Sequence, residues 1–206
     1  MGFYDRHILP RMIDLACGVK PFLRERRRFV PGAEGRVLDV GIGTGHNLAY
    51  YDRSKVTHLF GLDPCATSLK MAAERAAEEG RQLETLEAGG EAIPLGDASV
   101  DTVVFTYTLC TVPDVEATLA EARRVLKPGG RLIYSEHVRA PERGIAKWQD
   151  RLDRPWGAAF GGCHLNRDTD TLIRRAGFGG AGMQLNKVTK MMPIVAWQAQ
   201  GIAVAR

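Results

Sequence analysis

The stretch Val37-Leu38-Asp39-Val40-Gly41-Ile42-Gly43-Thr44-Gly45 joins a short apolar run to a turn with glycine at every second position. Val37, Leu38 and Val40 read as a buried strand. Gly41, Gly43 and Gly45 read as a turn of positive φ that a ligand can approach closely. The pattern predicts a helix over 46–51, starting near His46, and a second strand from His58 to Leu62. Asp63 closes that strand, eighteen residues after Gly45. In nucleotide-binding α/β folds an acid about 20 residues beyond the glycine turn accepts hydrogen bonds from ribose hydroxyls.

The spacing separates two kinds of ligand. A dinucleotide turn needs G-x-G-x-x-G and holds pyrophosphate on a helix N-terminus. Here Gly43 is followed by Thr44, Gly45 and His46, so that pattern fails. Asp39 lies two residues before the first glycine, where a carboxylate repels pyrophosphate and suits an ammonium group. Asp-x-Gly-x-Gly-x-Gly followed by Asp63 resembles motifs I and II of class I S-adenosylmethionine (SAM)-dependent methyltransferases. The resemblance implies SAM as cofactor. It assigns Asp39 to the methionyl ammonium, by contact or through water, and Asp63 to the ribose. It gives Gly41, Ile42 and Gly43 backbone contacts. Many relatives carry an acid for the adenine amino group where this chain has Gly89. Adenine recognition then falls to backbone near Gly90 or to Glu91.

The chain has 206 residues, 45% hydrophobic and 25% charged, which fits one globular domain over 1–206. No apolar run reaches the ~18 residues of a membrane span, and no signal peptide is read, so a cytoplasmic protein is expected. Cys17, Cys65, Cys110 and Cys163 include no C-x-x-C, so neither a disulfide framework nor a zinc knuckle is indicated. Net charge is +4, and Arg24, Arg26, Arg27 and Arg28 cluster in one stretch. They read as a solvated helix face, or as a contact for an anionic membrane surface or nucleic acid. No nucleic-acid motif accompanies them, so none is expected as a partner.

Residues 3–30 read as two helical pieces broken near Gly18 and Pro21, a lid over residues 1–30. Strands are predicted near 36–40, 57–62, 83–88, 101–107, 130–138, 181–188 and 194–204. Further helices are predicted over 66–80, 114–126, 144–156 and 168–176. Asp114 is the expected N-cap of the helix over 114–126, and Pro128-Gly129-Gly130 its stop. The fold class is α/β: a Rossmann-like, seven-stranded, mostly parallel sheet covered by helices on both faces. A C-terminal hairpin puts one antiparallel strand at its edge. Ligands of such sheets lie beyond the strands' carboxyl ends. Those ends are Gly41–Gly45, Asp63-Pro64, Ala88–Ala92, Thr106-Tyr107 through Cys110, and Glu136–Val138.

The resemblance extends beyond the cofactor half. Ala88-Gly89-Gly90-Glu91, Asp97 to Val104, Thr108-Leu109-Cys110 and Arg124 to Gly130 resemble the ubiquinone/menaquinone-biosynthesis type of methyltransferase. Glu136-His137-Val138, Gln149, Pro155-Trp156 and Gly162-Cys163-His164-Leu165-Asn166-Arg167 are similar to the thiol S-methyltransferases of animals. Those proteins carry a hydrophobic N-terminal membrane anchor, which is not read here. The resemblance implies methyl transfer to a small-molecule acceptor, a thiol first, with a lipid amine or a quinone as alternatives. RNA or protein methylation, and a non-enzymatic SAM-binding protein, are weaker readings.

A thiol must be ionised to attack, and only a few per cent is thiolate near neutral pH. His137, at a strand's carboxyl end, is the first candidate base, and His164 the second. Either could instead bond a loop carbonyl or line the acceptor cavity. His137, Cys163 and His164 lack an acidic ligand and regular spacing, so no metal centre is expected. Cys110 reads as a small buried hydrophobe. Tyr4, with Asp5 and His7 on the leading helix, is a candidate to reach the cofactor or acceptor. Trp148 and Trp156 belong to an insert over 139–167 that forms acceptor-side wall or core.

Overall fold

The computed structural model describes residues 9–180 and 182–205, so Tyr4, Asp5 and His7 lie outside the described residues. Helices α1 (Leu9–Cys17) and α2 (Lys20–Phe29) precede strand β1 (Gly35–Val40). Then come β2 (Val56–Asp63), α3 (Ala66–Glu78), β3 (Glu84–Glu87), β4 (Val100–Thr106), α4 (Val115–Val125) and β5 (Leu126–His137). The last part is α5 (Arg143–Ala159), α6 (Thr169–Arg175), β6 (Phe178–Gly179), β7 (Gln184–Lys187) and β8 (Trp197–Ala205).

The sheet order is β3-β2-β1-β4-β5-β8-β6, with β7 also paired to β8. β1 through β5 are parallel, and β8 runs antiparallel to β5, β6 and β7. Alternating strand residues supply two cores, as a sheet covered on both faces requires. Leu38, Val40, Val103, Phe105, Leu132 and Tyr134 pack with Leu119, Ala122 and Ile173 of α4 and α6. Val37, Leu59, Val104 and Ile133 face the other way, onto Leu69, Ala72 and Ala76 of α3.

Four expectations need correction. There are eight strands among the described residues: the strand read over 181–188 narrows to β7, and the short β6 ahead of it was not expected. β6 pairs with Gly179 opposite Val204, and β7 pairs further along β8 opposite Trp197–Gln200. The antiparallel strand therefore lies inside the sheet between β5 and these pieces, not at its edge. No α-helix forms over 46–51; turns lead into a short 3₁₀ turn at Leu48–Tyr50. The cause is the buried Asp39 carboxylate, whose Oδ2 accepts from Asn47 Nδ2 and Tyr51 Oη, both at 2.9 Å. Lastly, α4 stops at Val125, and Pro128-Gly129-Gly130 falls within β5 rather than ending the helix. Asp114 does cap α4, accepting from the Ala117 amide.

The chain break between α1 and α2 is at Gly18-Val19, and Pro21 sits in the first turn of α2, where a missing N–H costs nothing.

Candidate active site

The carboxyl ends of β1, β2, β4 and β5 meet on one side of the sheet, and the glycine turn is its centre. Gly41 has φ +68°, and a Cβ there would collide with the Thr108 side chain. Gly43 has φ +56°, and a Cβ there would meet only Gly41 O, at 4.0 Å, so a ligand can approach its backbone. The Gly41 and Ile42 amides donate to Leu62 O at 2.7 and 3.1 Å, which fixes the turn on β2. The side chain of Ile42 is buried.

Asp63 reaches this turn. Its Oδ2 accepts from the Gly43 amide at 3.0 Å and its Oδ1 from the Cys65 amide at 2.8 Å. Burial raises its pKa, against those two amide bonds. Pro64 beside it is exposed.

Asp39 lies behind the turn, fully buried, and its Oδ1 has no hydrogen-bond partner. Burial pushes its pKa up to about 6, although Asn47, Tyr51 and Arg26 favour the charged form. Asn47 Nδ2 also donates to Thr106 Oγ1 at 3.0 Å. Arg26 Nη1 donates to Asn47 Oδ1 at 2.7 Å and to Thr106 Oγ1. Its Nε is buried without a partner. Asp39, Asn47, Arg26 and Thr106 are thus one buried polar network at the cleft.

This corrects the reading of the arginine cluster as one solvated or membrane-facing set. Arg24, Arg27 and Arg28 are exposed, while Arg26 is buried and its guanidinium lies 5.1 Å from the Tyr107 ring centroid. A sequence signal existed: the amphipathic period of α2 turns Glu25 and Arg26 inward. Four arginines in five positions obscured it.

α1 closes over the turn through residues the sequence reading passed over. Asp14 accepts from Thr44 Oγ1, and from Arg75 Nη2 at 3.3 Å, and its backbone carbonyl lies 3.0 Å from His46 Nε2. Despite the opposing effect of burial, Thr44, His46 and Arg75 hold its carboxyl below the usual range.

Tyr107 follows β4 with φ +59°, an uncommon conformation for a non-glycine residue and one that clusters at functional sites. Its ring packs on Phe22 at 4.4 Å, and its hydroxyl donates to Gln198 Oε1 at 3.1 Å. Glu136, fully buried, accepts from the Thr108 amide at 2.8 Å and the Cys110 amide at 3.3 Å. It thereby braces the loop after β4. Gly90 is buried against Thr118 and Val40, and Glu91 accepts from the Asp114 amide at 3.2 Å.

Next to Tyr107 opens a cavity of about 480 Å³. Its walls are mostly apolar: Ile13, Phe22, Trp156, Phe160, Met191 and Met192 among them. Its thiol and imidazole groups are Cys17, Cys110, His137 and Cys163, and Lys190 adds one cation to the wall. His137 Nε2 is 2.9 Å from Cys163 Sγ, while its Nδ1 is buried without a partner. His164 is not part of this wall. It is half-exposed, with Nδ1 2.9 Å from Asp153 Oδ2. The structure therefore brings Cys110, not His164, together with His137 and Cys163. Trp156 is cavity wall, whereas Trp148 is 55% exposed and is neither wall nor core.

Residues 38–134 match the family model described as "Methyltransferase domain". Over these residues the chain carries a methyltransferase domain. It is 36% identical over 160 residues to human thiol S-methyltransferase TMT1A, covering 75% of this chain and 64% of that protein. It is 34% identical over 125 residues to the demethylmenaquinone methyltransferase of Thermus thermophilus, covering 58% of this chain and 57% of that one. The matched part of the domain-bearing chain thus spans under two thirds of these relatives. The fold also matches Burkholderia thailandensis 1,6-didemethyltoxoflavin-N1-methyltransferase, solved with 1,6-didemethyltoxoflavin and S-adenosylhomocysteine. That match has TM-score 0.69 at 18% identity and covers 96% of this chain and 83% of that one.

Proposed function

We propose that this protein transfers a methyl group from SAM to a small apolar thiol. The observation that carries the reading is the apolar cavity beside Tyr107, with sulfur and imidazole groups in its wall. Its volume is in the range of small-molecule sites. The likeness to thiol S-methyltransferases favours the same acceptor class.

The cofactor lies across the glycine turn. Gly41, Ile42 and Gly43 give it backbone, and Asp63 with Pro64 borders its ribose. Gly90 and Glu91 border the adenine, and Thr106 and Tyr107 the methyl-bearing end. Asp39 acts from behind the turn, favouring the methionyl ammonium by its field. Arg26, the buried cation of the same network, takes the methionyl carboxylate.

Displacement at the methyl carbon is in-line. The thiol sulfur gives its electron pair to carbon, and the carbon–sulfonium pair returns to sulfur. The sulfonium is already reactive, so the protein contributes mostly alignment, worth about 7–11 kcal/mol in well-oriented systems. The acceptor sulfur sits against His137, which has the chemistry to draw off its proton. The exposed arginines Arg24, Arg27 and Arg28 remain available to an anionic membrane surface.

The test is S-adenosylhomocysteine release from SAM with alkyl thiols, a demethylated quinone and phosphatidylethanolamine as acceptors. Turnover on the thiols with a methyl thioether as product is the expected result. Turnover on the quinone or the amine alone overturns the thiol assignment.

A further inference from the structure

We propose that Cys110, His137 and Cys163 hold a zinc ion whose open coordination position takes the acceptor thiol. The inference rests on the thiol reading above and deepens it. One sulfur, one ring nitrogen and a second sulfur lie within 4.8 Å of one another. In a tetrahedral site with zinc–sulfur bonds of about 2.3 Å and zinc–nitrogen bonds of about 2.0 Å, ligand-to-ligand edges are about 3.5–3.8 Å. The observed spacings bracket those edges: His137 Nε2 and Cys163 Sγ are 2.9 Å apart, and no pair of donors exceeds 4.8 Å.

The three donors stand on separate, braced elements. Cys110 is in the loop pinned by Glu136, and its carbonyl accepts from the His164 amide at 2.7 Å. His137 ends β5, in register with Gln198 of β8. Cys163 follows α5, and its Sγ accepts from Trp156 Nε1 at 3.4 Å. Among the described residues the imidazole's one polar contact is the Cys163 sulfur, because Nδ1 has no partner. His137 Nε2, the atom beside Cys163 Sγ, is the ring nitrogen such an ion would take, and the unpartnered Nδ1 is the other end of the ring.

The donor set selects the metal. Two thiolates and an imidazole suit a soft or borderline ion, and no carboxylate oxygen in the cluster favours magnesium or calcium. Three protein ligands leave a fourth position, as in catalytic rather than structural zinc sites. Here that position faces the apolar cavity. A thiol coordinated there loses its proton to the solvent, since zinc ionises bound thiols outright. The zinc-bound sulfur then forms its bond to the methyl carbon. The methyl–sulfonium bond breaks with its electron pair kept on the departing S-adenosylhomocysteine sulfur. The neutral thioether is a weak ligand and leaves. In the loaded protein His137 holds the metal, and the metal replaces it as the group that ionises the thiol.

The experiment is titration of the reduced, metal-free protein with zinc against a chromophoric chelator, alongside Cys110→Ala, His137→Ala and Cys163→Ala. One zinc per chain is expected, weakened at least about 100-fold in each variant. Cobalt in place of zinc should give a thiolate charge-transfer band that the cysteine variants weaken. SAM affinity, read by calorimetry, should be unchanged in all three. No zinc uptake by the wild type, uptake equal in the variants, or thiol methylation unaffected by zinc removal overturns the proposal. Zinc uptake together with turnover on no thiol would retain the metal site and sink the thiol reading instead.

Discussion

Asp39 is the residue whose electrostatics reach furthest. Its folded pKa of about 6 lies above the ordinary carboxylate value of 3.8, so between about pH 4 and 6 the native state holds a proton that the unfolded chain has released, while at pH 7 the carboxylate is charged. Stability from this group is therefore full below about pH 4 and falls as pH rises through 6. A gap of about two pH units corresponds to a cost of order 3 kcal/mol at pH 7. Asp39→Asn should remove that cost, raising the melting temperature of the cofactor-free protein at pH 7 while leaving it nearly unchanged at pH 4. The same variant should bind SAM at least about tenfold more weakly, because a charge facing the ammonium is gone. A melting temperature that drops at pH 7 contradicts this account. Arg26 is the complementary case. Arg26→Met leaves Asn47 Oδ1 without its donor and Thr106 Oγ1 with Asn47 alone, and cofactor affinity should fall by about 2–3 kcal/mol in calorimetry. An unchanged affinity would remove Arg26 from the site.

At the scale of elements, α1 is held over the glycine turn by Asp14, with Thr44, His46 and Arg75 as its partners. Asp14→Ala should loosen this contact, speeding release of SAM and S-adenosylhomocysteine more than it slows their binding. Stopped-flow dissociation rates check it, and rates equal to wild type would make α1 a fixed part of the scaffold. The elements also show where sequence reading succeeds. β1, β2, β4 and α4 were legible because short continuous apolar runs and the Asp114 cap are local signals. The segment after Gly45 was not. Its shape is set by a carboxylate several residues upstream that pulls Asn47 and Tyr51 inward, and no local pattern encodes that pull. The shortening of that strand to β7, with β6 ahead of it, was equally hidden, since it depends on how Gly180, Gly182 and Met183 pack on Gly201 and Ile202 of β8.

For the molecule as a whole, the topology places the carboxyl ends of β1, β2, β4 and β5 together, and that clustering of strand ends was readable from the sequence. The acceptor half was only partly readable. His137 and Cys163 are 26 positions apart in sequence and join Cys110 only through the packing of the loops after β4 and α5. Arg26 was hidden by its neighbours, and His164 looked like a cavity residue until its ring was seen beside Asp153. The central claim is that the turn after β1 and the acid after β2 grip one adenosyl ligand. Calorimetric titration with S-adenosylhomocysteine measures this most directly. One site per chain is expected, weakened at least about tenfold in Asp63→Asn, which keeps an oxygen for the Gly43 amide but loses the charge and an acceptor. No binding at millimolar ligand, or equal binding by the variant, contradicts it.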